Sequence, residues 1–209
     1  GGPVVSAYEQ RPWLALYDET KPKELTPRFE TVLALFESAC RSVADEVAVT
    51  YFDGRLTYRE LGELSDALAS YLRDRGFAPG DRLALYLQNV PQFVIALLAG
   101  WKAGGIVVPL NPMYRGRELT TILGDCRPAA VVSSEQGWHG VLGPIASQVG
   151  ARIAITTSEL DFQTRHDSRL FAGLPRSRAE DTDDLLEITR GRAGSRPPDP
   201  ELTGADIAL

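Results

Sequence analysis

The sequence predicts an α/β fold with a mostly parallel, doubly wound sheet built from βαβ units over about residues 80–155. Three observations lead there. Short apolar runs at Arg82–Leu87, Ile106–Val108, Ala129–Val132 and Arg152–Ile155 alternate with stretches of helical spacing. Between the first two runs, Phe93, Val94, Leu97, Leu98 and Trp101 cover far more than one stripe, the pattern of a helix buried on two sides. A strand, a helix and another strand in this length call for a parallel, right-handed crossover.

The elements follow in order. Residues 1–28 lack periodicity and are expected as an extended arm, with Trp13, Leu14, Leu16 and Tyr17 as docking contacts; Gly1–Gly2 is set aside as a cloning remnant. The α/β part is expected over 29–155, opening with a helix–hairpin–helix segment. Val32, Leu33, Leu35, Phe36 and Ala39 form one face of a short helix. Val47–Phe52 is a strand, Asp53–Gly54 a tight turn and Arg55–Thr57 the return strand. Thr57 and Glu60 have the spacing of a capping box. Behind them Leu61, Leu64, Leu68, Tyr71 and Leu72 share one face, and Gly76 stands where a left-handed cap is expected. Pro79–Gly80–Asp81 is a turn into the first strand of the sheet. Asn89 is placed to cap the next helix, Pro91 is tolerated in its first turn, and Gly104–Gly105 ends it. A helix over about Gly116–Gly124 turns Leu119, Ile122 and Leu123 inward, and another near Trp138–Val149 uses Val141, Leu142, Ile145 and Val149. Residues 156–209 are expected as a polar, partly mobile tail, with a brief helix at Asp183–Arg190 and a Pro-rich link at Arg196–Pro200. Ala205–Leu209 turns apolar as the chain stops, the expectation for a strand cut short in a truncated chain.

Composition narrows the function classes. A formal charge of −6 argues against a general nucleic-acid binder. No apolar run approaches the ~20 residues that span a bilayer, and no signal peptide opens the chain. Cys40 and Cys126 match no metal or redox spacing, which points to reduced thiols and a cytoplasmic protein. His139 and His166 have no Cys or His neighbours that would complete a ligand set.

In an open parallel sheet, ligands bind at the carboxyl ends of the strands. Those positions here are Gln88–Asn89, Asn111–Arg115, Ser133–Ser134 and Thr156–Ser158, which offer amides and hydroxyls in the roles of caps and turns. No Gly-rich dinucleotide fingerprint or Gly-x-x-x-x-Gly-Lys-Ser/Thr loop is present. Gly100–Gly105 lies at a helix end, where carbonyls point outward, so Lys102 complements the dipole and Trp101 belongs to the core. His139 is expected as an exposed or capping residue, Tyr114, Arg115 and Arg117 as a solvated helix start, and the arginines of the tail as neutralised by neighbouring acids. The expectation is therefore no catalytic, cofactor-binding or metal-ligating residue on this chain.

Several stretches nonetheless share a phrasing: Leu56–Leu61, Gly80–Leu85, Gln88–Phe93, Lys102–Pro112 and Arg117–Leu119. In that order and spacing they resemble the amino-terminal part of adenylate-forming enzymes, across about Phe29–Ser134. The Gln88–Asn89–Val90–Pro91–Gln92 and Asn111–Pro112–Met113–Tyr114 phrases look most like long-chain fatty acyl-CoA ligases. Asp183–Leu186, the Pro-rich link and Asp206–Leu209 resemble the approach to that family's Ser/Thr/Gly-rich phosphate loop. The resemblance implies ATP- and Mg-dependent activation of a fatty acid to acyl-AMP, then thioester formation with CoA. It places the phosphate loop, metal ligand, nucleotide-binding residues and catalytic lysine beyond Leu209, leaving this chain as scaffold. A fatty acyl-AMP ligase or amino-acid adenylation domain is the alternative within the superfamily, and a non-catalytic α/β interaction module the alternative outside it. The resemblance leaves room for peripheral membrane contact. Leu33, Phe36, Leu64 and Leu68 have few evident partners, so an exposed apolar face met by self-association is also expected.

Overall fold

The computed structural model describes residues 6–165 and 176–209. Gly1–Gly2, His166 and the part of the expected mobile tail at 166–175 lie outside the described residues. The chain divides into two compact units, residues 1–30 and 31–209.

In the first unit, residues expected to be extended throughout contain α1 (Ala7–Gln10) and a 3-10 turn at Pro12–Leu16. Ser6 and Glu9 make a reciprocal capping box, and Arg11 (φ 48°) links the two helices. The Tyr8 and Trp13 rings lie 5.4 Å apart, and Arg11 pairs with Glu24. Leu16 and Tyr17 remain exposed.

The second unit begins with α2 (Val32–Ser42), capped by Thr31, and the antiparallel pair β1 (Val47–Tyr51) and β2 (Gly54–Thr57). Helix α3 (Tyr58–Asp74) starts at the capping box the sequence specifies: Thr57 Oγ1 accepts from Glu60 N at 3.2 Å, and Glu60 accepts from Thr57 N at 2.8 Å. The sheet follows: β3 (Arg82–Tyr86), α4 (Pro91–Lys102), β4 (Ile106–Pro109), α5 (Gly116–Cys126) and β5 (Ala130–Ser134). After β5 come α6 (Glu135–Gly137), a π-helical turn at Trp138–Leu142, α7 (Gly143–Gln148) and β6 (Ile153–Thr157), and lastly β7 (Asp183–Asp184) and α8 (Leu185–Gly191). All five strands are parallel, in the order β4-β3-β5-β6-β7.

Strand alternation divides two cores. Leu83, Leu85, Val107, Ala130, Val132, Ile153 and Ile155 face α3, α4 and α8. Ala84, Tyr86, Val131 and the half-buried Val108 and Ala154 face α5, the π turn and α7. Two covered faces explain why the strands read as nearly continuous apolar runs.

Four expectations change. Val90, not Asn89, is the N-cap of α4, and its apolar side chain offers no oxygen to the free N–H groups of the first turn; Pro91 at the first position carries no N–H and so adds no unpaired donor there. The single helix expected near Trp138–Val149 is a π-helical turn followed by α7, with the short α6 before them, because Pro144 has no N–H to continue the α-helical ladder. In the segment expected as a polar tail, Asp183–Asp184 adds the edge strand β7, and Leu185 and Ile188, one helical turn apart, bury themselves against the α3 side. Finally, Leu33 and Leu68 are buried, and Phe36 and Leu64 pack on the same core, so these residues do have partners. The exposed apolar residues of α2 are Val32 and Leu35 instead.

Candidate functional site

The strand order reverses about β3: the chain leaves it towards β4 on one side and returns to β5 on the other. That reversal opens a crevice at the carboxyl ends of β3 and β5, the usual ligand position of an open α/β sheet. Here the chain fills it. A Cβ at Gly137 would stand 2.8 Å from Ser133 Oγ and 3.1 Å from Tyr86 Cδ1, so only glycine lets α6 close over the strand ends. Tyr86 OH donates towards the carbonyls of Pro112 (3.0 Å) and Tyr114 (2.8 Å), and the Arg115 guanidinium reaches that hydroxyl and both carbonyls. The loop after β4 is thus pinned to the end of β3.

Beyond β6 a second network forms around Gln92. Its side chain is fully buried, and its amide nitrogen donates to Thr157 Oγ1 (3.1 Å) and Ser158 O (2.7 Å). A backbone carbonyl only accepts, which fixes the orientation of the amide. Thr157 Oγ1 in turn donates to Asp161 Oδ2 (3.0 Å), which also accepts from Ser158 N (3.1 Å). Asp161, wholly buried, pairs with Arg176, whose guanidinium also lies 3.9 Å from Asp184. Asp184 caps α8 by accepting from Glu187 N at 2.9 Å, and Arg178 lies 3.9 Å from its other oxygen. Glu135, also buried, accepts from Ser177 N at 2.6 Å. Three buried carboxylates and two arginines therefore fasten residues 176–184 to the ends of β5, β6 and β7. Burial raises the Glu159 pKa beside this cluster, and the negative Glu135 adds to the effect.

Of the positions nominated from the sequence, Asn111 and Ser134 act as a turn and a cap. Asn111 Oδ1 accepts from Met113 N at 2.9 Å, Ser134 caps α6, and Thr156 shares a 2.7 Å hydrogen bond with Thr182. Gln88 and Asn89 are exposed. His139 Nε2 lies 2.8 Å from Ser177 O; facing a carbonyl, that nitrogen is the donor, so the ring ties down residue 177. Lys102, expected to complement the helix dipole, is buried, pairs with Asp66 and donates to Gly62 O at 3.0 Å, with its ammonium 5.5 Å from the centre of the Phe36 ring. Gln92, Glu135, Asp161 and Asp184 were not nominated. Single acids scattered among polar residues carry no spacing signal, and Gln92 stood out only within its motif.

The two thiols are half-buried and free, and burial raises the pKa of each, which leaves them as poor nucleophiles. Among the described residues, no group of three His, Cys, Asp or Glu side chains is placed to hold a metal ion. Among the described residues, the carboxyl edge is a set of clasps, in which the Thr157 hydroxyl and the Asp161 carboxylate are both buried and engaged with one another.

The family model described as AMP-binding enzyme matches residues 36–208. The chain belongs to the AMP-binding enzyme family. It is 39% identical over 122 residues to the long-chain-fatty-acid–CoA ligase of Salmonella typhimurium, covering 57% of this chain and 22% of that protein. Bacitracin synthase 3 of Bacillus licheniformis is 34% identical over 132 residues, which is 63% of this chain and 2% of the synthase. The fold is similar to that of acetoacetyl-CoA synthetase from Streptomyces lividans, with a TM-score of 0.65 at 23% identity over 80% of this chain and 26% of the synthetase. The chain thus spans about a fifth of the length of the curated ligases it matches, 22% for the Salmonella protein. Their membership of one family with this chain agrees with the adenylate-forming phrasing of its sequence.

Proposed function

We propose that this chain is scaffold from the amino-terminal region of a long-chain fatty acyl-CoA ligase. The observation that carries the reading is the 39% identity over 122 residues with a ligase of that name. In the parent, a fatty acid carboxylate attacks the α-phosphorus of ATP and expels pyrophosphate; the CoA thiol then displaces AMP to give the thioester. Both steps build negative charge that preorganised donors and cations must stabilise.

The described residues do not fit ATP, Mg or CoA. The donors of Tyr86, Gln92, Thr157 and Ser158 are committed within the chain, the acids at 135, 161 and 184 are spread over three strand ends, and no glycine-rich phosphate loop follows β3. No chemical step is assigned to them. What the chain contributes in this reading is a parallel sheet that supports the reacting groups of the longer protein. Among the described residues, no helix is long and apolar enough to cross a membrane. A cytoplasmic ligase meeting its fatty acid at a membrane surface fits this reading.

Incubation with a long-chain fatty acid, ATP and Mg tests it. The longer protein containing this sequence should release pyrophosphate and, with CoA, accumulate acyl-CoA, while the 209-residue chain alone should release none. Turnover by the short chain would falsify its role as scaffold. The similarity to bacitracin synthase 3 favours a second reading, a piece of an amino-acid adenylation domain; pyrophosphate exchange driven by an amino acid and not by a fatty acid would select it. Acyl-AMP that persists in the presence of CoA would instead mark an acyl-AMP ligase.

A further inference from the structure

The stretch from Trp101 to Gly105 holds residues 196–208. The Trp101 Nε1–H donates to the Ala208 carbonyl at 3.0 Å, and the backbone N–H of Val107 donates to the same oxygen at 3.0 Å. A carbonyl has two lone pairs, and both are engaged. Val107 lies in β4, the outer strand of the sheet, so residue 208 begins backbone pairing along an otherwise open edge. Gly104 adopts φ +82°, and a Cβ there would stand 3.2 Å from Pro79 Cβ and 3.4 Å from Pro200 Cβ. Glycine is required there by the positive φ and by the close approach of Pro79, and Pro200 rests at ordinary contact distance on the same bare backbone. Lys102 holds one oxygen of Asp66, and the other lies 3.9 Å from Arg196 Nε, at the start of the Pro-rich run. Leu202 packs on the core between these points. Cavities of about 460 and 230 Å³ flank residues 196–200, so continuous packing does not set the path of this segment. A few discrete contacts do.

We propose that Trp101, Lys102 and Gly104 are positioning residues that form a cradle for residues 196–208. Gly104 sets the approach, Lys102 holds Asp66 ready for Arg196, and Trp101 fixes which carbonyl meets Val107. The cradle thereby sets the strand register of residue 208 against β4. Its consequence for catalysis rests on the ligase reading above, in which the chain after Leu209 carries the phosphate loop: a register set at Ala208 is passed on to that loop.

Amide hydrogen exchange on the 209-residue chain tests the cradle directly. Trp101→Phe removes the indole donor and keeps most of the ring packing. The Val107 amide should then exchange roughly five-fold faster, the scale of one lost hydrogen bond, while Leu83 and Ile155 keep their protection. An unchanged Val107 amide, or equal acceleration at all three positions, overturns the proposal. Should the variant not fold, the unmodified chain gives a second measurement. The Trp101 indole N–H should exchange much more slowly than that of exposed Trp13, and equal rates overturn the proposal. In the longer protein, Trp101→Phe should lower kcat for acyl-AMP formation several-fold and leave KM for the fatty acid unchanged; a KM effect alone counts against positioning. If the unmodified longer protein forms no acyl-AMP, the ligase reading fails, and the exchange result still decides the cradle.

Discussion

Helix α4 is anchored by different physics at its two ends. At the amino end, Gln92 is buried and neutral, and it stitches the exit of β6 through hydrogen bonds to Thr157 and Ser158. At the carboxyl end, Lys102 is charged and shares Asp66 with the exposed Arg196 beside an open cavity. Neutral hydrogen bonds out of water resist salt and cost their full desolvation penalty when broken. A charge latch near solvent is weaker and responds to ionic strength. The same helix thus fixes one neighbouring segment rigidly and holds the other adjustably.

Four substitutions sharpen or break this contrast. Gln92→Ala should cost about 3 kcal/mol, because it strands the Ser158 carbonyl and leaves a small cavity. The loss, read by urea unfolding, should be the same at low salt and at ~1 M salt; a strong salt dependence would remove the distinction between the two ends. Lys102→Met should cost about 2 kcal/mol, less than for a fully buried pair because Asp66 keeps some contact with water. Part of that loss should disappear in high salt.

Asp53 gives the third test, at the loop that Gln92 holds from the other side. Its carboxylate accepts from the Thr164 hydroxyl and from the backbone N–H groups of Thr164 (3.2 Å) and Arg165 (2.9 Å). The Thr164 hydroxyl bond is the largest cause that lowers its pKa, to about 2. A carboxylate with a lowered folded-state pKa stabilises the protein fully above its unfolded value and loses that contribution as pH falls through the folded value. Asp53→Asn should therefore lower Tm near neutrality, with the gap to the parent closing between the ordinary value of 3.8 and about 2. A gap constant across that window would show that the carboxylate does not hold the loop. Arg196→Gln should have the smallest effect, under about 1 kcal/mol, as for other exposed ion pairs, and no measurable effect in high salt.

Most of the sheet was legible because its strands and helices obey simple periods. Thr57 and Glu60 announced the start of α3, and the unbroken apolar run in β3 announced a strand covered on both faces. The edge strand β7 was not legible: two aspartates have no apolar pattern, and they pair with β6 because Leu185 and Ile188 pull the chain onto the α3 side. The π turn at Trp138 escaped for a related reason, since apolar spacing shows a helical face but not the hydrogen-bond ladder behind it. At the carboxyl edge, Asn111 and Ser134 are a turn and a cap of the kind their residue types suggest. The clasps among Gln92, Asp161, Arg176 and Asp184 include a direct bond from Gln92 to Ser158 at a separation of 66 residues, and nothing in local spacing encodes such meetings.

The β1–β2 turn at Asp53–Gly54 has a consequence for the order of assembly. A Cβ at Gly54 would meet the Phe162 carbonyl at 1.8 Å, and Tyr51 and Asp53 reach partners 108 and 111 residues further along the chain. Tyr71 donates to Asp183 at a separation of 112. The hairpin and α3 are local structures that can form early on a growing chain. Helix α4 reaches them soon afterwards, but the partners of Tyr51, Asp53, Gly54 and Tyr71 emerge from the ribosome only after more than a hundred further residues, about 5–20 s at ordinary elongation rates. Through that interval the hairpin and the end of α3 lack part of their lasting environment, so they are the parts that gain most from a chaperone while the rest is made.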